Sequence, residues 1–311
     1  MNHEFKLINQ YFKHDYQHPA TQLGNGDDAS VHAIPDGYEL VVSSDASVMG
    51  SHWPEDFPLK QASDRAVCAA LSDLAAMGAE ATWVWSTVFL QQPEQAKPIA
   101  AGIHAACQRH HIEIAGGDTV KAPYPALNLT VAGLIPSQKV MQRSTAKVGD
   151  DLWLYGELGH AALGLQHWQQ GITSSVFIDA FSKITPHLKQ GKQLRELGIR
   201  CCIDISDGLL QDANHIAQAS NVQLQIHTEK LNIILLRQDL ADEEEALQLA
   251  LSGGEDYGLL FCACPTLRET LKQISFQQIG TCVEGSNVQV LQHGQEKRAI
   301  NQGYDHFSTM A

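Results

Sequence analysis

Residues 24–31 read GNGDDASV. The Gly-x-Gly-x-x-Ala spacing matches the phosphate loop of a dinucleotide-binding fold, and that match decides which architecture the chain is given. Such a loop must open a helix and aim backbone N–H groups at a pyrophosphate. Here two carboxylates, Asp27 and Asp28, occupy the turn itself, and Pro35 follows soon after. The dinucleotide reading therefore fails on charge and on local conformation. The stretch is instead an acidic turn, and the rest of the chain must say what it holds.

Outward from that turn, strand and helix patterns alternate. YELVVSSD (38–45) and TWVWSTVFL (82–90) read as strands, with an alanine-rich helix over 60–77 between them. A second helix is expected over about 94–110, then strands in IEIAGGDT (112–119) and ALNLTVAGLI (126–135). Phe5, Ile8, Tyr11 and Phe12 lie near helical spacing before the turn. The polar run RSTAKVGDD (143–151) lacks apolar periodicity and is expected to separate a first domain, 1–142, from a second, 143–311. The second half begins afresh with DLWLYG (151–156). Helices then run to about 196, and CCIDISDGLLQDANHIAQAS (201–220) passes from strand into helix. Strands at VQLQIH and LLFCA, helices near 242–250 and 265–273, and two short strands complete it. A length of 311 residues suits two such domains.

Composition removes several function classes. The 35 acidic against 21 basic residues give a net charge of −14, which repels nucleic acid and anionic membranes. An anionic substrate then needs a cation to bridge it. No apolar run approaches the length of a membrane span, and MNHEFKLINQYF lacks a signal-peptide layout, so a cytoplasmic protein is expected. The seven cysteines include no C-x-x-C pair and read as buried thiols rather than a disulfide framework or zinc site.

The acidic turns recur. Asp45 ends VVSSD, Asp73 sits in LSDLAAMG, Asp118 in GGDT, and Asp204 and Asp207 in DISDG. A single Asp at an element end is usually a helix cap or turn residue. Seven of them at or near element ends, with Asp118 and Asp207 beside glycines and Asp204 inside the apolar run CCIDI, point instead to magnesium, a hard cation that takes carboxylate oxygens and holds phosphates. Neither a Walker loop nor an H-R-D kinase loop is present. Phosphate-facing groups are therefore sought in the Gly116-Gly117 and Gly253-Gly254 turns and at a helix N-terminus opened by Ser206 and Asp207. Arg143 reads equally as a phosphate clamp or as a solvated surface arginine.

GDDA, SSD with G-x-H at 50–52, LSDLAAMGAE, GGDT, RS-x-A-K-x-GD, DISDGL, LSGGEDY and GYDHF occur in that order from about residue 24 to 307. This succession resembles the thiamine-monophosphate kinases. These belong to the superfamily of aminoimidazole ribonucleotide synthetase, selenophosphate synthetase and the hydrogenase-maturation dehydratase. The resemblance implies an α+β fold of two domains, with mixed and antiparallel sheets flanked by helices. It also implies a homodimer whose N-terminal sheets pair into a barrel, and magnesium-bound ATP in the cleft between domains. Several magnesium ions are expected, with ATP as co-substrate and thiamine monophosphate as acceptor.

By the same resemblance, metal ligands fall on Asp28, Ser43, Ser44, Asp45, Asp73, Asp118, Asp204 and Asp207. ATP contacts fall on Gly117, Asp118, Arg143 and Ser206, and thiamine monophosphate on His52, Glu255 and Tyr304. The transfer itself is expected to turn on Asp118, Asp207 and Arg143. Tyr257 is a second aromatic candidate, and it reads equally as core. Ala70, Arg65 and Gly258 depart from the usual family pattern without removing a carboxylate.

Two superfamily activities are disfavoured. No Cys precedes Cys68, as selenophosphate synthetase requires, and the C-terminal Cys of the hydrogenase-maturation enzyme is missing. A metal-dependent phosphatase and a non-catalytic magnesium-nucleotide binder stay as alternatives. The acceptor, itself a phosphate monoester with a second pKa near ~6, is mostly ionised at neutral pH and needs no general base.

Overall fold

The helix α1 (Leu59–Met77) organises the first half of the chain. Its alanines keep side-chain entropy low, Pro58 precedes its first turn, and Gly78 ends it in a left-handed conformation with its N–H on the Ala75 carbonyl. Residues 6–13, 17–240 and 242–297 are described in this computed structural model. Tyr304 lies outside them.

The first unit, Met1–Val140 with Leu188–Lys192, opens with a small antiparallel ribbon, β1 (Thr21–Leu23) and β2 (Val31–His32), in which Thr21 faces His32. A four-stranded sheet follows, built from β3 (Tyr38–Val48), β4 (Glu80–Leu90), β5 (Glu113–Lys121) and β6 (Ala126–Pro136), in the order β3-β6-β4-β5. All its pairs are antiparallel except β4 with β5. It is an open sheet with β3 and β5 at its edges. Along β3, Val41, Ser43 and Asp45 are half-buried while Val42, Ser44 and Ala46 between them are exposed, so the strand shows its two faces to different surroundings. α1 and α2 (Ala96–His110) cross closely: a Cβ on Gly102 would stand 2.1 Å from the Lys60 carbonyl oxygen. Arg109 reaches back from α2 to clasp Asp64 with two hydrogen bonds of 3.0 and 2.7 Å.

The second unit comprises Met141–His187 and Gln193–Ala311. Its seven strands are β7 (Asp151–Tyr155), β8 (Cys201–Asp204), β9 (Gln223–His227), β10 (Leu259–Ala263), β11 (Gln277–Val283), β12 (Val288–Gln292) and β13 (Gln295–Glu296). They lie in the order β13-β12-β9-β11-β7-β10-β8, antiparallel except for β12 with β9. Its α-helices are α3 (His160–Gln169), α4 (Val176–Ser182), α5 (Leu188–Glu196, of which Leu188–Lys192 counts with the first unit), α6 (Leu209–Ser220), α7 (Ile234–Asp239), α8 (Glu243–Ser252) and α9 (Arg268–Gln273). The run LLFCA in β10 is buried throughout because both its faces are covered. Cys262 belongs to the main aliphatic core. Phe261 stacks on Trp153 at 6.4 Å and meets Phe276 edge-on at 5.2 Å. Buried Asp151 is satisfied by a bidentate Arg268, at 2.6 and 2.7 Å, and by Gln278 at 2.8 Å.

Both sheets are mixed and flanked by helices, as the α+β reading requires. Two expectations are corrected. Gly116 and Gly117 form no turn: they lie within β5, opposite Trp85 and Ser86, just past a bulge at Ala115. All cysteines are buried except Cys264, which is exposed. No helix among the described residues is long and apolar enough to cross a membrane.

His187 carries a pH dependence. It packs edge-on against Tyr155 at 4.8 Å, and burial lowers its pKa to about 4. Between pH 6.5 and 4 the unfolded chain thus binds a proton that the folded chain refuses, so stability falls with falling pH. From pH 6.5 to 5 this one group is expected to cost about 2 kcal/mol, and His187→Phe is expected to remove that part of the slope in urea titrations.

Candidate functional site

Carboxylates gather in both units, each held by a different local device. In the first unit Ser43 and Asp45 share the half-buried face of β3, and the Ser43 hydroxyl donates to Asp73 of α1 at 2.5 Å. Ser44 points to the opposite face, with its hydroxyl 3.5 Å from those of Thr130 and the Asn128 amide oxygen. Its side chain is therefore set apart from Asp45 and Asp73. His52 accepts the Val48 N–H on Nδ1 at 3.1 Å, which leaves the proton of the neutral ring on Nε2.

The acidic turn of residues 24–30 connects β1 to β2. Asp27 and Asp28 are exposed, and Asp27 caps the Asp28 N–H at 2.8 Å. Asn25 of this turn and Gly117 and Asp118 of β5 line one small cleft, together with Ile8, Phe12 and Ser86. Asp118 is exposed and accepts the following Thr119 N–H at 2.8 Å. Gly117 is required by close approach, since a Cβ there would lie 2.2 Å from the Ser86 carbonyl oxygen.

In the second unit DISDG and GGEDY interlock. Tyr257 N–H donates to the Ile205 carbonyl at 2.7 Å, Glu255 N–H to that of Ser206 at 2.8 Å, and Ile205 N–H to that of Gly258 at 2.9 Å. Neither segment tolerates a Cβ where they touch: at Gly208 it would meet Ser252 backbone at 2.9 Å, and at Gly254 the Ser206 carbonyl oxygen at 2.6 Å. Glu255 and Tyr257 hold left-handed φ values of 72° and 51°, which cost free energy for residues with a Cβ. Such strain concentrates where a loop must aim side chains. Tyr257 is buried at 7% exposure and its hydroxyl donates to Glu255 at 3.3 Å. Tyr257 is thus a core residue whose hydroxyl holds Glu255.

Asp204 ends β8 and is buried, at 8% exposure. Helix α6 begins only at Leu209, with Gly208 at its cap, so Ser206 and Asp207 stand in the turn before it rather than in its first turn. Gln211 donates to Asp207 Oδ2 at 3.0 Å. Arg143 sits in a turn pinned through its backbone, its carbonyl accepting the Ser220 hydroxyl at 2.8 Å, and its side chain is exposed. Glu255 also borders a cavity of about 490 Å³ lined by Tyr155, Glu157, His187 and Asn232.

Two further carboxylates hold these segments in place, and neither is among the residues expected from the sequence. Asp212 accepts the N–H groups of Ser206 and Asp207 on one oxygen, at 3.0 and 3.1 Å, and so fixes the acidic turn from below. Burial first, then Asp204 and Asp207, push its pKa up to about 8. Asp207, Asp212 and His215 have ligand atoms within 4.8 Å of one another. Asp256 supplies the side-chain cap that α3 otherwise lacks, accepting Gly159 N–H at 2.6 Å and Ala161 N–H at 3.2 Å. Burial lifts its pKa to about 7 against those two hydrogen bonds. The signal available in DISDGLLQD is a further Asp five residues past Asp207, in the first turn of the helix that follows.

Apart from the imidazole of His215, the donors in these sets are carboxylate or hydroxyl oxygens, and none is a thiol, which suits a hard divalent cation and not a thiophilic one. Comparison with known proteins gives the family. The family profile described as AIR synthase related protein, N-terminal domain, matches residues 26–135. Thiamine-monophosphate kinase of Salmonella typhimurium is 33% identical over 98% of both chains. The chain belongs to the thiamine-monophosphate kinase family. Among solved structures, the thiamine-monophosphate kinase of Stenotrophomonas maltophilia superposes with a TM-score of 0.81 at 30% identity, over 92% of this chain and 94% of that one. The structure of AaThiL complexed with AMPPCP and TMP has the same fold, with a TM-score of 0.79 at 24% identity over 97% of this chain and 96% of that one. Family position also bears on the departures: Arg65 and Ala70 are buried in α1, and a Cβ at Gly258 would stand 2.7 Å from the Tyr155 carbonyl oxygen.

Proposed function

We propose that the protein phosphorylates thiamine monophosphate to thiamine diphosphate with ATP, by direct in-line transfer. Membership of a family whose members bear that name over their whole length carries the reading. The oxygen-rich clusters of both units support it. In the transfer, an oxygen of the acceptor phosphate attacks the γ-phosphorus of ATP and ADP leaves. The acceptor is already ionised at neutral pH, so positioning and charge neutralisation carry the catalysis.

Magnesium, when bound, neutralises the crowded phosphate oxygens of donor and acceptor. Asp28, Asp45, Asp73 and Asp118 in the first unit and Asp204 and Asp207 in the second would hold it, with Ser43 beside Asp45. Asp212 fixes the Asp207 backbone. Gly117, Ser206 and Arg143 serve ATP, and Glu255, oriented by Tyr257, faces the cationic thiazolium, with His52 and Tyr304 completing the acceptor site. Residues 1–142 act as the metal, nucleotide and dimerisation domain and 143–311 complete the substrate site, in a cytoplasmic enzyme. The exposed Leu40 and Val42 share a sheet face with Leu134 and Ala132, their register partners, and in this reading that face pairs with a second copy to close a barrel.

Arg143 has an exposed guanidinium on a pinned turn. As a phosphate clamp, its loss in Arg143→Ala should raise the KM for ATP by about tenfold, the worth of one charge-assisted pair, and leave the KM for thiamine monophosphate unchanged. Incubation with ATP, magnesium and thiamine monophosphate tests the whole reading. Equal amounts of ADP and thiamine diphosphate are expected. Orthophosphate alone would show a phosphatase, and nucleotide binding without turnover a binder.

A further inference from the structure

Glu113 opens β5, is 2% exposed, and lies five residues before Asp118 on the same strand. Its Oε2 accepts the His18 N–H at 2.8 Å and the Thr21 hydroxyl at 2.6 Å. The Thr21 oxygen in turn receives Trp83 Nε1–H at 2.8 Å. With its own proton committed to Glu113, Thr21 can only accept from His32 Nδ1, 3.1 Å away. His32 Nε2 then accepts from the Ser30 hydroxyl at 2.9 Å, and Ser30 receives Trp85 Nε1–H at 2.9 Å. Every proton in the chain is thereby assigned, and every bond is polarised toward one buried carboxylate. Burial keeps both His18 and His32 below their ordinary pKa, in spite of Glu113, which fits the neutral His32 the chain requires.

The network ends on both sides of the acidic turn, at Thr21 on β1 and at Ser30 and His32 on and beside β2. A two-stranded ribbon of this size is marginal alone and needs an external anchor. We propose that Glu113 is a positioning residue: it fastens the ribbon to β5 and so holds the Asp27–Asp28 turn in a fixed relation to Asp118, farther along that strand. Asn25 and Asp118 already share a cleft, which is the juxtaposition such fastening preserves. The functional part of this inference rests on the reading of Asp28 and Asp118 as metal ligands. The fastening itself does not.

The test uses the full chain and three variants. Glu113→Ala removes both acceptor bonds. Glu113→Gln keeps an acceptor oxygen for them, and Thr21→Val cuts the network while leaving the carboxylate. Hydrogen exchange should show loss of protection confined to residues 17–33 in Glu113→Ala and Thr21→Val, with protection retained in Glu113→Gln. Calorimetric titration with Mn²⁺ without nucleotide should show affinity weakened about tenfold in the first two variants and restored in the third. In turnover, the half-saturating magnesium concentration should rise while the KM for thiamine monophosphate holds. Unchanged protection of the ribbon in Glu113→Ala, or protection lost equally across α1 and the sheet, would overturn the inference. So would Mn²⁺ binding indifferent to a loosened ribbon. Should the wild type make no thiamine diphosphate, the kinase reading falls, and exchange with Mn²⁺ titration still decides this one.

Discussion

Asp207→Asn is expected to lower the rate of thiamine diphosphate formation by about 10²–10³-fold, the usual cost of removing one preorganised charge-stabilising group from a transfer site. Asparagine keeps the shape, and its oxygen still accepts the Gln211 hydrogen bond, 3.0 Å in the wild type. The Ser206 and Asp207 N–H groups stay anchored on Asp212. The change therefore deletes a charge and little else, and the thermal midpoint should stay close to that of the wild type. Rates at saturating ATP, together with thermal unfolding by circular dichroism, check both halves. A variant of normal stability with normal turnover would remove Asp207 from the metal-binding set.

The second large effect is expected at Gly117→Ala. The new Cβ would lie 2.2 Å from the Ser86 carbonyl oxygen and 3.1 Å from its nitrogen, and these are backbone atoms of the paired strand that no rotamer change can move. The β4 and β5 ladder must part next to Asp118. Overpacking of this kind costs about 1–3 kcal/mol, and a displacement of about 1 Å at a reacting group costs about 10²-fold in rate. Urea midpoints and turnover should therefore both fall. An alanine variant with wild-type stability and rate would show that the strand pair at Gly117 is looser than the register implies.

How much of this was legible in the sequence depended on whether the determining contacts were local. The strand Tyr38–Val48 and the helix Leu59–Met77 follow from alternation and alanine content, both properties of neighbouring residues. The ribbon Thr21–Leu23 with Val31–His32 was invisible, because its stability comes from Glu113 and Trp83, far away in sequence. Helix Ile234–Asp239 was missed for a similar reason, being short and without a side-chain cap. Gly116 and Gly117 look like a turn in isolation, and only pairing with Trp85 and Ser86 makes them strand. Among the site residues, Asp204 announced itself as a carboxylate in an apolar run. The separation of Ser44 from Ser43 and Asp45 follows from strand alternation and was available in SSD. Asp212 and Asp256 were hidden because their work is to hold other groups: backbone amides of the acidic turn in one case, the start of α3 in the other.

The central claim is direct transfer between ATP and the acceptor phosphate. A single-turnover experiment tests it, with enzyme in excess over ATP labelled in the γ-phosphate, magnesium and thiamine monophosphate present, and the quenched mixture separated by chromatography. The account predicts that the label appears in thiamine diphosphate, one for each ADP formed, with none retained on the protein. Label recovered as orthophosphate, or bound covalently to the chain before product appears, would contradict it.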